Sequence, residues 1–186
     1  MSTHLIKLEE VGKHYLHHTF SIEIKQHDFV LVSGTNGSGK TTLINMIIGF
    51  IDPDRGAIDK KKLKIGYVPE KVILPPFVEV LDYLKNMARI KRGVVDLSLL
   101  RELEIPFDKK IYELSKGNQQ KLAMMVAFMG NPELVILDEP LSGLDEMMKQ
   151  KVSTIIKSFY HKGYSLFVST HEPHYFSDVT TKKLNL

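Results

Sequence analysis

Residues 34–41 read GTNGSGKT and match the pattern G-x-x-x-x-G-K-[ST]. The apolar run FVLV at 29–32 precedes this stretch and predicts a buried strand, while TTLINMIIGF at 41–50 has the spacing of a helix. A glycine loop between a strand and a helix lets backbone N–H groups point at phosphate oxygens, beside the positive end of the helix. The stretch therefore predicts a binding site for nucleotide phosphates.

Two side chains of this loop have predicted roles. Lys40 is expected to reach the β- and γ-phosphates, and the hydroxyl of Thr41 is expected to bind Mg²⁺. The other nucleotide-binding residues predicted in the loop and the first helical turn are Asn36, Gly37, Ser38, Gly39 and Thr42.

Apolar periodicity predicts strands that alternate with helices along the chain. FSIEI at 20–24 alternates apolar and polar residues, whereas LVIL at 134–137 is apolar throughout, as in a strand buried on both faces. This alternation favours an α/β fold with a mostly parallel sheet flanked by helices. The residues expected to share one face of the helix after the loop are Leu43, Met46, Ile47 and Phe50.

Between 71 and 113 the pattern becomes helical, at 77–93 and again at 96–105, with prolines at the ends. We therefore expect one domain, in which a helical subdomain at 71–113 is inserted into a core formed by 1–70 and 114–186. No second domain is expected.

Composition narrows the classes of function. The chain has 186 residues, 43% of them hydrophobic, a formal net charge of +3 and no cysteine, which excludes disulfides and thiolate metal sites. The charge is too small to predict a nucleic-acid partner, and the basic run 60–62 fits a solvated strand end better than a phosphate or lipid contact. No apolar stretch approaches the roughly 18 residues of a membrane helix, so we expect a soluble, cytoplasmic protein.

Three further polar side chains follow predicted strands. Asp138 and Glu139 end the stretch LVILDE, and His171 ends YSLFVSTH. Because ligands bind at the carboxyl ends of parallel strands, these side chains are expected to meet the glycine loop at one edge of the sheet. There Asp138 would hold Mg²⁺ and Glu139 is the candidate general base. The alternative is that both are surface acids.

With LSKGNQQK at 114–121, the chain resembles the ATP-binding subunit of an ABC transporter, over nearly its whole length. The resemblance rests on five motifs in the family's order: GTNGSGKT, LSKGN, LVILDEP, SGLD at 142–145 and STH at 169–171. It implies a P-loop NTPase with a small antiparallel β region and an inserted helical subdomain, the ABC ATPase fold. ATP and Mg²⁺ are the implied cofactors, and hydrolysis is the implied activity.

The resemblance also implies a head-to-tail dimer, or a paired ATPase subunit, around two ATP molecules. Ser115, Gly117 and Asn118 of one copy would then contact the nucleotide held by the P-loop of the other copy. Asp145 of the SGLD motif would join the two sites, and His171 would contact the γ-phosphate and position the attacking water.

Two motifs depart from the family's pattern. The signature LSKGN has Lys116 where the family usually has glycine and Asn118 where it usually has glutamine, although its phosphate-contacting serine and second glycine remain. Glu70 follows a predicted strand where the family usually has glutamine. A glutamate can still ligate Mg²⁺, and it would contribute to catalysis, but it adds negative charge near the γ-phosphate. We expect slower hydrolysis or stronger metal dependence than with glutamine; the alternative is a Glu70 that points to solvent.

Tyr15 is the best match to the aromatic residue that stacks on adenine in the family. The segment between Tyr15 and the next strand is about four residues shorter than usual, so an ordinary packing role stays open.

The family resemblance implies a transmembrane permease as partner, docked on the stretch from Glu70 to Phe77. The alternative for the apolar residues at 72–77 is packing inside the helical insertion. We expect a peripheral protein on the inner face of the cell membrane that drives an exporter of peptide or bacteriocin, drug or lipid. The alternative from another class is a soluble ABC ATPase that acts as an assembly or scaffold factor. A non-hydrolysing regulator is disfavoured, because Lys40, Glu139 and His171 are all present.

Overall fold

The computed structural model describes residues 4–186. Its strands are β1 (His4–Gly12), β2 (Phe20–Lys25), β3 (Phe29–Ser33), β4 (Arg55–Lys60), β5 (Ile65–Val68), β6 (Leu134–Asp138), β7 (Leu166–Thr170) and β8 (Lys182–Asn185). Its α-helices are α1 (Lys40–Ile48), α2 (Val80–Lys91), α3 (Leu97–Glu102), α4 (Lys116–Phe128) and α5 (Glu146–His161). Single 3-10 turns lie at Ile111–Glu113 and Pro173–Phe176.

Within the described residues the strands form two sheets. One is parallel throughout, with the order β5-β6-β7-β3-β8, and the other is antiparallel, with the order β2-β1-β4. The predicted α/β class, a parallel sheet with a small antiparallel region, is confirmed.

The parallel sheet is covered on both faces, because alternate residues of its central strands enter different apolar clusters. In β3, Phe29 and Leu31 pack with the side that carries α2–α5, whereas Val30 and Val32 pack with α1 and the antiparallel sheet. Strands buried on both sides are apolar at every position, which explains the continuous apolar runs in the sequence.

One prediction for helix α1 is wrong. Leu43, Met46 and Ile47 are buried as expected, but the helix ends at Ile48 and Phe50 is 66% exposed. Gly49 adopts a left-handed conformation with φ of 96° and turns the chain away from the helix, so Phe50 cannot share its buried face.

Strand β4 was also missed, because Arg55 and Gly56 belong to a stretch that reads as a turn. The strand forms by pairing with β1, a contact between distant parts of the chain. Lys60 ends this strand, and its Nζ donates hydrogen bonds to the carbonyls of Ile47 (3.1 Å) and Ile48 (2.8 Å) at the end of α1. Lys60 therefore caps a helix, a role that neither reading of the basic run included.

Helices α2 and α3 both lie inside 71–113. Helix α4 contacts them as well as β5 of the parallel sheet, so it joins this helical region to the core. The division into a core and a helical subdomain stays a prediction. Within residues 4–186 the structure has no helix with the length and apolar character needed to cross a membrane.

Candidate nucleotide site

The glycine loop follows β3, and Lys40 is the first residue of α1. Gly39, just before it, has φ of 96°, and a Cβ there would lie only 3.2 Å from the ring of Phe20, so the loop packs closely on β2. Lys40 is 7% exposed, and its Nζ donates to the carbonyls of Gly34 (2.8 Å) and Thr35 (3.2 Å). The loop thus holds the ammonium group in place.

Asp138, at the end of β6, is buried and accepts two hydrogen bonds. Its Oδ2 accepts from Thr41 Oγ1 at 3.1 Å, and its Oδ1 accepts from Ser169 Oγ at 2.5 Å. The structure therefore brings Thr41 and Asp138 together as predicted. Ser169 was quoted only as part of the STH motif and received no role of its own. Its position in that motif was the available sequence signal, and the pairing of its strand with that of Asp138 reveals the role.

Glu139 joins the loop to His171. Its Oε1 lies 3.1 Å from His171 Nε2 and 3.7 Å from Lys40 Nζ, and its Oε2 accepts from the backbone N–H of His171 at 3.2 Å. Within residues 4–186, Oε1 is buried yet accepts no hydrogen bond of good geometry. Burial raises the pKa of Glu139, against the opposing effect of His171 and Lys40. This oxygen is a free acceptor for a proton.

The backbone of Glu139 is held in an unusual conformation. Its φ is 49°, in the left-handed region. This conformation costs a non-glycine residue about 1–2 kcal/mol of free energy. The N–H of Glu139 donates to both the carbonyl and the hydroxyl of Ser169, each at 3.1 Å. Ser169 therefore positions both acids of the pair.

These groups line one cavity of about 450 Å³, which we name the P-loop cavity. Its lining comprises Tyr15, Leu16, Asn36, Gly37, Gly39, Lys40, Thr41, Thr42, Glu70, Asp138, Glu139 and His171. Tyr15 is 55% exposed, Glu70 is also exposed, and Leu16 was not predicted. Ser38 is absent from the lining, and its hydroxyl is buried without a hydrogen-bond partner in the described part of the chain.

The other predicted nucleotide-binding residues lie elsewhere, in a second cavity of about 420 Å³ that we name the signature cavity. Its lining comprises Glu104, Ser115, Lys116, Gly117, Asn118, Lys121, Gly143, Leu144, Asp145 and Met148. The structure does not bring Ser115, Gly117, Asn118 or Asp145 to the P-loop cavity.

Two helices begin at the signature cavity. Ser115 caps α4, where its Oγ accepts from the N–H of Asn118 at 3.2 Å, and Asp145 caps α5, where it accepts from the N–H of Met148 at 2.8 Å. Helix N-termini favour anions, so the cavity suits a phosphate. Lys121 is 5% exposed and donates to the carbonyl of Leu103 at 2.6 Å, which ties α4 to the end of α3.

Comparison with family models gives a match to "ABC transporter" over residues 17–142. The chain belongs to the ABC transporter family. Among the curated relatives, the ABC transporter ATP-binding protein YhaQ of Bacillus subtilis is 36% identical over 81% of this chain and 56% of its own length. The zinc import ATP-binding protein ZnuC of Pseudomonas fluorescens is 30% identical over 94% of this chain and 70% of its own length. The chain thus spans little more than half of YhaQ.

The solved structures place the chain in the ABC ATPase fold. The cassette MJ0796 has been solved as a dimer and in a post-hydrolysis state bound to ADP and Pi. Each of these structures has a TM-score of 0.82, 25% identity, and covers 97% of this chain and 94% of its own. The chain accordingly has the ABC ATPase fold, as predicted. The prediction of an exporter is not supported, since the relatives include zinc import ATP-binding proteins.

Proposed function

We propose that the chain is the ATP-hydrolysing subunit of an ABC transporter, which closes on MgATP as a dimer and drives a separate membrane permease. The observation that carries the proposal is the convergence of Lys40, Thr41, Asp138, Glu139 and His171 on one cavity at the carboxyl edge of the parallel sheet. These groups come from three strand ends, and each is held by contacts within the protein.

The phosphates and the metal have distinct ligands in this proposal. Lys40 and the loop N–H groups bind the β- and γ-phosphates. The Thr41 hydroxyl and the Asp138 carboxylate are neighbouring hard oxygen donors, which is the set that Mg²⁺ prefers, with Glu70 as a further oxygen beside them. When bound, Mg²⁺ would neutralise charge on the β- and γ-phosphate oxygens.

Glu139 is the proposed general base. Its buried Oε1 is free to accept a proton from water, and the raised pKa brings the carboxylate closer to the operating pH. His171 lies beside the same oxygen and beside Lys40, at 3.5 Å from its Nζ, so it is placed to orient the water and the γ-phosphate.

The signature cavity supplies the reason for a dimer. Ser115, Gly117, Asn118 and Asp145 line a cavity at two helix N-termini, which is separate from the P-loop cavity of the same copy. In a head-to-tail dimer, each signature cavity would face the nucleotide held by the other copy. The related cassette MJ0796 has been solved as a dimer, which supports a dimer here.

The permease is proposed to dock beside Glu70, on the helical subdomain 71–113. This contact would hold the ATPase subunit at the inner face of the cell membrane. Ile73 is 93% exposed and Phe77 is 78% exposed there, and Phe77 contacts the half-exposed ring of Tyr112 at 6.0 Å between centroids. Exposed apolar side chains that lie together commonly mark a protein contact.

The direction of transport has two candidates. Export of peptide or bacteriocin, drug or lipid is the expectation that accompanies the family resemblance, whereas the zinc import relatives favour metal uptake. Reconstitution of the ATPase with its permease in vesicles separates the two candidates. ATP-dependent movement of Zn²⁺ toward the side that holds the ATPase supports uptake. If Zn²⁺ does not move, but peptide or lipid is released on the opposite side, export is supported.

Affinity purification from detergent-solubilised membranes of the native host, with mass spectrometry, tests the proposal. We expect a multi-span protein in stoichiometric amount, and Phe77→Asp is expected to reduce its recovery while ATP binding is unchanged. Recovery of soluble proteins alone would favour the scaffold function instead.

A further inference from the structure

Two exposed charges line the cavities without partners inside the protein. Glu70 lines the P-loop cavity and Lys116 lines the signature cavity. Across residues 4–186, neither side chain takes part in a hydrogen bond or an ion pair. By contrast, Lys40, Asp138 and Glu139 are buried and in contact with other polar groups.

Each charge lines a cavity in which the proposed function places the terminal phosphate. Glu70 lies just beyond the end of β5 and lines the same cavity as Thr41 and Asp138, the proposed metal ligands. Lys116 lies between Ser115 and Gly117, the two residues proposed to contact the phosphate from the other copy. Adjacent Cα atoms are about 3.8 Å apart, so the lysine enters the interface with them.

The P-loop cavity has a surplus of negative charge. Glu70, Asp138 and Glu139 line it together with Lys40 and His171, and ATP would add further negative charge, part of which Mg²⁺ would neutralise. A cation brought by the second copy would be attracted to this site, whereas a neutral residue would leave Glu70 facing the phosphate. Both positions depart from the family's pattern, and the two departures have opposite signs.

We propose that Glu70 of one copy and Lys116 of a second copy form an ion pair across the dimer interface, beside the terminal phosphate. The pair rests on the ATP-bound dimer of the proposed function. It would form twice in a symmetric dimer. Lys116 is then a positioning residue that offsets the charge of Glu70.

Charge reversal tests whether the pair forms between copies. All proteins carry Glu139→Gln, so that ATP is not consumed, and one variant adds Glu70→Lys while the other adds Lys116→Glu. Both altered side chains are exposed, so folding is expected to be unchanged. Self-association with MgATP is measured by sedimentation equilibrium at about 0.15 M salt, where charges are screened beyond about 8 Å.

Each variant alone places like charges opposite each other at both sites, and we expect its dimer to weaken about tenfold or more. A mixture of the two variants forms a heterodimer in which opposite charges meet at both sites. We therefore expect the mixture to dimerise as tightly as the Glu139→Gln parent.

Matched controls are Asp108→Lys and Lys62→Glu, which reverse exposed charges outside both cavities. Their mixture measures how much dimerisation strengthens merely because the two copies differ in net charge. The ion pair is refuted if mixing the two control variants strengthens dimerisation as much as mixing the two test variants does. It is also refuted if the test mixture stays monomeric while the Glu139→Gln parent dimerises. A Glu139→Gln parent that stays monomeric with MgATP would refute the dimer of the proposed function and the pair together.

Discussion

The P-loop cavity and the signature cavity hold their polar groups in different ways. In the P-loop cavity, Lys40, Asp138 and Glu139 are each less than a tenth exposed and are fixed by contacts with the loop, Ser169 and His171. In the signature cavity, Ser115 and Asp145 are engaged in capping helices, and Lys116 projects without a partner in the described residues. One cavity is organised by a single chain, and the other presents groups suited to a ligand held elsewhere.

This difference gives the two cavities separable effects. Apart from Glu70, which is proposed to pair with Lys116 of a second copy, changes in the P-loop cavity should alter nucleotide binding or chemistry in each copy. Changes in the signature cavity should act on association and leave binding to one copy intact. The five predictions below test this separation, from the largest expected effect to the smallest.

Glu139→Gln should lower ATP turnover by about 10²-fold or more, because the amide cannot accept the proton of the attacking water. Nucleotide binding should persist, since Lys40 keeps its contacts with Gly34 and Thr35. Phosphate release measures turnover, and gel filtration should show an ATP-bound dimer. Turnover at the parent rate would show that another group is the base.

Gly117→Asp should lower turnover by roughly tenfold to a hundredfold, because a carboxylate would occupy the proposed phosphate surface. ATP binding to a single copy should be unchanged when titrated at low protein concentration. Gly117→Ala is the matched control, since a Cβ alone would meet the flexible side chain of Leu144 at 2.9 Å. If Gly117→Asp weakens binding to the monomer, the two cavities are not separable.

Ser169→Ala should slow turnover about tenfold and raise the Mg²⁺ concentration that is needed. The change leaves Asp138 Oδ1 without its hydrogen bond and removes one acceptor of the Glu139 N–H, so both acids lose orientation. Ser153→Ala removes another buried hydroxyl, on α5, and controls for the loss of stability alone. An equal effect of the two variants would contradict a positioning role for Ser169.

The sequence predicted the parts of this arrangement that short local patterns determine. A continuous apolar run followed by glycines or acids located Lys40 and Asp138, because buried parallel strands have that composition and end at the ligand edge. Strand β4 and the end of α1 at Gly49 were missed, since the first depends on pairing with distant β1 and the second on a backbone turn. The role of Ser169 could not be predicted, because it depends on the pairing of β7 with β6, which places Ser169 beside Asp138.

Tyr15→Ala should weaken ATP binding about fivefold if the ring stacks on adenine, since aromatic contacts contribute about 0.5–1.5 kcal/mol. The ring lines the P-loop cavity and is 55% exposed, so its loss should change stability little. Tyr15→Phe keeps the ring and should bind ATP as the parent does. Unchanged binding by Tyr15→Ala would assign Tyr15 to the packing role instead.

Glu70→Gln should have the smallest effect, a two- to threefold rise in turnover and a lower requirement for Mg²⁺, because it removes one exposed charge near the γ-phosphate that Lys116 of the second copy already offsets in part. Asp108→Asn, a change at an exposed acid outside both cavities, should leave both quantities as they are. Glu70 is the sharpest test of the comparison between the two cavities. It lines the P-loop cavity, yet it has no partner in the described chain, and in this it is like Lys116 in the signature cavity. If Glu70→Gln matches the parent in rate and Mg²⁺ dependence, Glu70 points to solvent and plays no part in catalysis.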